Sequence, residues 1–182
     1  MIRLALLLWA ALMLAMSASA QMGIAPPSGF IVAATQGQTS VTGTTAETNL
    51  ANFKIPANTM GKNGHIEIKT LMSYTNSANN KTLLIRLSSS QAVGSGGLLA
   101  ATTQSATATM QAMAVYRNNN ATNSQIAYGA PIGQPFSSST SASVTSAIDT
   151  TQDAWVNISG QLGLGTETLT LVHAYAVVFP AN

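Results

Sequence analysis

The chain has 182 residues, seven basic and five acidic side chains, no cysteine and a net charge of +2, so only 7% of it is charged, against about 25% in an average soluble domain. The missing cysteines exclude a disulfide scaffold and a thiolate metal site, and so few cations exclude a basic nucleic-acid-binding face. An apolar fraction of 46% excludes a disordered chain and leaves one neutral domain.

The first twenty residues read as a separate object. Met1-Ile2-Arg3 is a short positive start, and Leu4 to Met16 is an unbroken apolar run containing Trp9. Ala18-Ser19-Ala20 supplies the small residues of a cleavage site. This is the plan of a secretory signal, and the apolar run is too short to span a bilayer comfortably, where about 20 residues are needed. Cleavage is expected between Ala20 and Gln21, giving a secreted or periplasmic protein with no remaining membrane segment. An uncleaved anchor is the other reading of this segment.

Residues 21–49 read as an amino-terminal arm, a first strand and a loop. Pro26-Pro27-Ser28-Gly29 fits neither a helix nor a central strand. Phe30 to Thr35 is strand-like, and Gly37 to Thr45 reads as loop. From residue 50 to 182 the dominant period is two, the mark of half-buried strands. Leu50 to Ile55 alternates until Pro56. Asn63-Gly64 predicts a turn at positive φ. His65 to Met72 sets Ile66, Ile68 and Met72 on one face, with Glu67 and Lys69 on the other. A polar connection, Ser73 to Lys81, leads to Thr82–Leu87, where Leu83, Ile85 and Leu87 share a face. Ser88 to Gly97 is loop. Leu98 to Met113 is Ala-rich, but its threonines and alternation favour strand over helix. Strand character continues to Arg117, and Asn118-Asn119-Asn120 makes a turn. Gln125 to Tyr128 is a short strand and Pro131 to Ser141 a loop. Ser143–Ile148, Ala154–Ile158 and Thr166–Phe179 complete the set. In the last, Leu169, Leu171, His173, Tyr175, Val177 and Phe179 are placed on one face and Thr170, Val172, Ala174, Ala176 and Val178 on the other. Both faces are largely apolar, which predicts a strand buried on both sides or lying at a subunit contact. About eight strands between polar turns describe an all-β antiparallel sandwich, jelly-roll-like in architecture.

Chemistry is sparse. His65 and His173 read as structural histidines, because a catalytic or metal role needs several convergent ligands. Asp149 and Asp153 are the only close acidic pair. They read as turn caps, with calcium as the lesser reading, since the spaced ligands of a calcium loop are missing. The sequence lacks the G-x-S-x-G elbow, the phosphate loop and the dinucleotide fingerprint. Asn80, Asn120 and Asn157 open glycosylation tripeptides, which are common in any Asn/Thr-rich chain. No catalytic, cofactor-binding or metal residue is assigned, and no cofactor is expected. Exposed aromatics stack on sugar rings, so Tyr74, Tyr116, Tyr128 and Trp155 are the candidate contacts to a glycan or receptor. The plainer readings are a core tryptophan and tyrosines covering the ends of the sandwich.

The run Phe53-Lys54-Ile55-Pro56-Ala57-Asn58-Thr59-Met60-Gly61-Lys62-Asn63-Gly64, then Ser73 to Thr82, then a strand bearing Arg86, resembles β-rich tail and virion structural proteins of tailed bacteriophages and prophages. So do Arg117 to Gln125, Asp149-Thr150-Thr151 with Asp153, and Ile158-Ser159-Gly160-Gln161-Leu162 before a closing strand. The likeness covers residues 50 to 180. It implies a jelly-roll-like module with a structural or receptor-facing role, often trimeric, and no catalytic residues. The expected partners are therefore copies of the chain, another virion protein or a cell-surface glycan. The export signal departs from that family, so an exported bacterial carbohydrate-binding or adhesin domain is the alternative to a virion protein. A secreted hydrolase ranks last, because the chain has so few titratable groups.

Overall fold

The computed structural model describes residues 29–131 and 143–181. The expected export segment and cleavage point, the diproline and most of the expected 131–141 loop lie outside the described residues. Eleven strands form, and no helix is found among the described residues. They are β1 (Phe30–Ala34), β2 (Thr39–Thr42), β3 (Thr48–Ile55), β4 (His65–Tyr74), β5 (Lys81–Ser88), β6 (Gly97–Gln104), β7 (Thr109–Asn118), β8 (Gln125–Pro131), β9 (Val144–Ser146), β10 (Ala154–Leu162) and β11 (Thr168–Phe179).

Every pairing is antiparallel. One sheet, here sheet A, runs β1-β11-β4-β7-β8-β9, with β2 also on β11; the other, sheet B, runs β3-β10-β5-β6. The chain alternates between the layers: β4 and β7 lie in one, β5 and β6 in the other. That is the jelly-roll order of two interlocked Greek keys, with the β8–β9 hairpin widening sheet A. The alternation read from sequence fills the space between the layers. Ile66, Ile68 and Met72 of β4 face Leu83, Ile85 and Leu87 of β5 and Val156 and Ile158 of β10 within one buried cluster.

Several expectations are corrected. The sandwich begins at Phe30, because β1 and β2 both hydrogen-bond to β11; β2 lies inside the stretch expected to be loop. The Ala-rich segment is strand, as expected, but is cut in two at residues 105–108, where Ala106 takes φ 45°. The positive-φ turn after β3 uses Asn58 and Gly61, not Asn63 and Gly64. Gly64 is needed for another reason: a Cβ there would lie 2.0 Å from the Met60 carbonyl oxygen.

The largest correction concerns β11. A bulge between Leu171 and His173 leaves Val172 without a partner on β4. A bulge adds one residue to one strand of a pair, so the alternation changes phase. Leu169 and Leu171 point into the core, and beyond the bulge Ala174, Ala176 and Val178 do. His173, Tyr175, Val177 and Phe179, grouped with the leucines by simple alternation, lie on the outer face.

Candidate functional site

Each of the five carboxylates has a structural partner. Glu47 accepts from Arg86 Nε at 3.2 Å and Nη2 at 2.9 Å, and from Ser159 Oγ at 2.5 Å. The Arg86 guanidinium, ahead of the opposing effect of burial, holds the Glu47 carboxyl below its ordinary value. Arg86, the arginine of the resemblance, is thus a bidentate clamp on the outer side of sheet B. Glu167 accepts from Asn79 Nδ2 at 3.1 Å and from Ser77 Oγ, and the buried Lys81 ammonium stands 3.6 Å away; those donors, Ser77 first, lower its carboxyl. Asp149 Oδ1 accepts from the Thr151 hydroxyl and amide, closing the expected Asx turn. Asp153 pairs with Lys54 at 2.7 Å and accepts from Ala57 N–H. Glu67 lies 3.9 Å from Lys69 and 4.0 Å from His65. Among the described residues no three His, Asp or Glu side chains converge to hold a metal.

Three of the motifs behind the resemblance, at 53–64, 117–125 and 149–153, meet at one end of the sandwich. Asn118 Nδ2 donates to Gly61 O at 2.6 Å and Thr150 Oγ1 at 2.8 Å. Gln125 Nε2 donates to Asn118 Oδ1, and its own Oε1 accepts from Ile148 N–H. Asn58 N–H reaches Thr150 O. Asn118, Gln125 and Thr150 are buried. Three loops, at 56–64, 119–124 and 147–153, are thereby tied into a polar plug. A buried amide costs little only when satisfied, so these side chains fix loop positions. These motifs lie far apart along the chain, and nothing local in the sequence marks that they touch.

The four candidate contact residues do not form one site. Tyr74 and Tyr116 are buried, and burial raises both phenols above their ordinary value. The Tyr116 hydroxyl faces Ser146, without a well-aligned partner for either atom. Neither ring is placed to meet a ligand. Tyr128 is 52% exposed on β8, on the outer face of sheet A. Trp155 is half-buried on the outer face of sheet B, beside Lys54 and Ser88.

The outer faces of the two sheets differ. Sheet B is polar and partly covered: Asn157 Nδ2 donates to Ser90 O at 2.9 Å and so draws the β5–β6 loop over it. Sheet A is uncovered by any described segment, and its side chains form ordered rows. One row reads Ile31–Val177–Glu67–Val115–Tyr128, the next Tyr175–Lys69–Met113, and a third Phe179–His65–Arg117–Ile126. Ile31 is 66% exposed. The His65 ring stacks on Phe179 with centroids 4.5 Å apart, and Lys69 Nζ stands 6.0 Å from the Tyr175 ring. This apolar and aromatic face, with Glu67, Lys69 and Arg117 as its charged side chains, is the candidate contact surface. A second candidate is an open cleft of about 390 Å³ between the β1–β2 connection and β3. It is lined by apolar residues such as Ala51 and Phe53 and by Thr35, Gln36, Gln38 and Asn52, and no charged side chain lines it.

The sequence matches no protein-family profile and no curated protein. Among solved structures it is similar to the CBM2 module of the evolved Dit of Lactobacillus casei BL23 phage J-1, at 11% identity and a TM-score of 0.41, over 85% of this chain and 98% of that one. It is also similar to the Bauhinia forficata lectin in complex with GalNAc, at 8% identity, TM-score 0.39 and coverages of 85% and 99%. A seed lectin of Lotus tetragonolobus follows at 10% identity, TM-score 0.39 and coverages of 85% and 93%. The jelly-roll assignment rests on the strand order above, and likenesses at these scores add nothing to it.

Proposed function

We propose that this chain is an exported, non-catalytic β-sandwich that works by contact, assembling with itself or seating on a surface receptor in the manner of phage tail and virion structural proteins. The open face of sheet A carries the reading. A sheet side with this many half-exposed aromatic and aliphatic side chains is what a packed neighbour covers. The titratable groups favour it too, since each carboxylate already holds a cation, a hydroxyl or a turn. Sedimentation velocity on protein expressed from the full-length sequence tests the self-assembling arm, and a concentration-dependent oligomer is the expected result. Amino-terminal sequencing of the exported protein tests the compartment: the first residue should be Gln21, and a start at Met1 in a membrane fraction would count against it.

The cleft beside β3 favours a second reading, a carbohydrate-binding or adhesin domain. Its uncharged lining, amides and a hydroxyl beside apolar side chains, is suited to a neutral polyol. On a glycan array, binding that disappears in a Gln36→Ala/Gln38→Ala variant supports it, and a folded protein that binds no glycan removes it.

A further inference from the structure

We infer that the outer face of sheet A is a self-complementary interface, and that its occupant is a second copy of this chain related by a two-fold axis crossing the strands level with Ile68. The inference rests on the self-assembling arm of the proposed function and names the surface and the partner. The register sets the positions. Glu67 and Lys69 are successive outward residues of β4, and Ile68 between them points into the core. An axis in the plane of the face, perpendicular to the strands, exchanges the residue just above this level with the residue just below. Glu67 of one copy then faces Lys69 of the other, twice over. On β11 the same operation sets Val177 against Tyr175, and on β7 Val115 against Met113, from the pairings Val177–Glu67–Val115 and Tyr175–Lys69–Met113. At the margin Arg117 meets Gln111, because these residues pair with His65 and Leu71 at opposite ends of β4. Charges therefore meet their opposites at the centre with apolar pairs beside them on β11 and β7, while one level further out the same operation sets His65 against Leu71 and Phe179 against His173.

Other two-fold arrangements lose this match. An axis along β4 would set Glu67 against Glu67 and Lys69 against Lys69, and like charges brought together between packed sheets are costly. β11, β4 and β7 each offer seven residues level with His65 to Leu71, which at about 4.8 Å per strand and about 3.4 Å per residue is roughly 14 Å by 24 Å in projection; the shorter runs of β1 and β8 and the side-chain relief add to this, toward the roughly 800 Å² per partner of a standard interface. Two sheets stacked face to face about 10 Å apart are an ordinary packing.

The test uses charge reversal in protein expressed from the full-length sequence, with sedimentation velocity as readout and far-UV circular dichroism confirming the fold. Glu67→Lys alone and Lys69→Glu alone each place like charges across the axis, and each should weaken self-association at least tenfold. Mixing these two variants in equal amounts restores both contacts and should recover a dimer at wild-type concentration. So should the double variant Glu67→Lys/Lys69→Glu. A wild-type oligomer indifferent to the single variants, a trimer, or a mixture that stays dissociated overturns this interface while leaving assembly through another face standing. A wild-type monomer overturns both the interface and the self-assembling arm, and the receptor arm is then decided on the glycan array.

Discussion

Glu47 shows how much a single side chain does in a protein with five acids. It joins β5 through Arg86 to β10 through Ser159 on the outer side of sheet B. Its carboxyl lies below the ordinary value of 4.5, and those of Glu167, Asp149 and Asp153 are lowered too. Groups depressed in the folded state contribute stability that is complete above their unfolded values and is lost as pH falls through the folded ones. Thermal midpoints should therefore be flat from neutrality to about pH 5 and fall below pH 4.5. Glu47→Gln should lower the neutral midpoint and make that acid decline shallower. Gly64→Ala should cost about 1–3 kcal/mol, the usual range for overpacking, because the added carbon runs into the fixed Met60 carbonyl; denaturant unfolding measures it. At this scale the sequence was partly legible. Asp149 as a turn cap follows from residue type. The burial of Tyr74 and Tyr116 does not, because a tyrosine at a strand end reads the same whether the next layer covers it or water does.

The strands were legible wherever one face is polar. β4 and β5 alternate, and their core faces, Ile66, Ile68 and Met72 with Leu83, Ile85 and Leu87, follow from that alternation. β11 was not legible, because both of its faces are apolar and period two carries no sign of where the phase slips. β2 was missed because four residues of Ser, Thr and Val beside glycines carry turn composition; its place comes from β11, to which it pairs. The bulge has a measurable consequence. Val172 has no partner on β4, so deleting it joins Leu171 directly to His173 with the correct residues still facing the core. That variant should fold, with a thermal midpoint within several degrees of wild type. Deleting Tyr175 instead sends Ala176 and Val178 to the outer face, and it should abolish cooperative unfolding.

At the level of the whole molecule, fold class follows from local pattern, but membership of a sheet does not. β3 pairs with β10 and β1 with β11, partners separated by most of the chain, and no local signal links them. The plug at the end of the sandwich was hidden for the same reason: its members are distant in sequence, and only the jelly-roll order brings them together. Folds built on such distant pairings close large loops before they gain contacts. Refolding from denaturant, followed by tryptophan fluorescence, should therefore take milliseconds to seconds; a microsecond phase carrying the full amplitude would contradict this. β11 adds a consequence of its own. It lies between β1, β2 and β4 and is translated after all of them, so the growing chain holds three strands whose shared neighbour has not yet been made. Until β11 emerges, sheet A is open at its middle and cannot close.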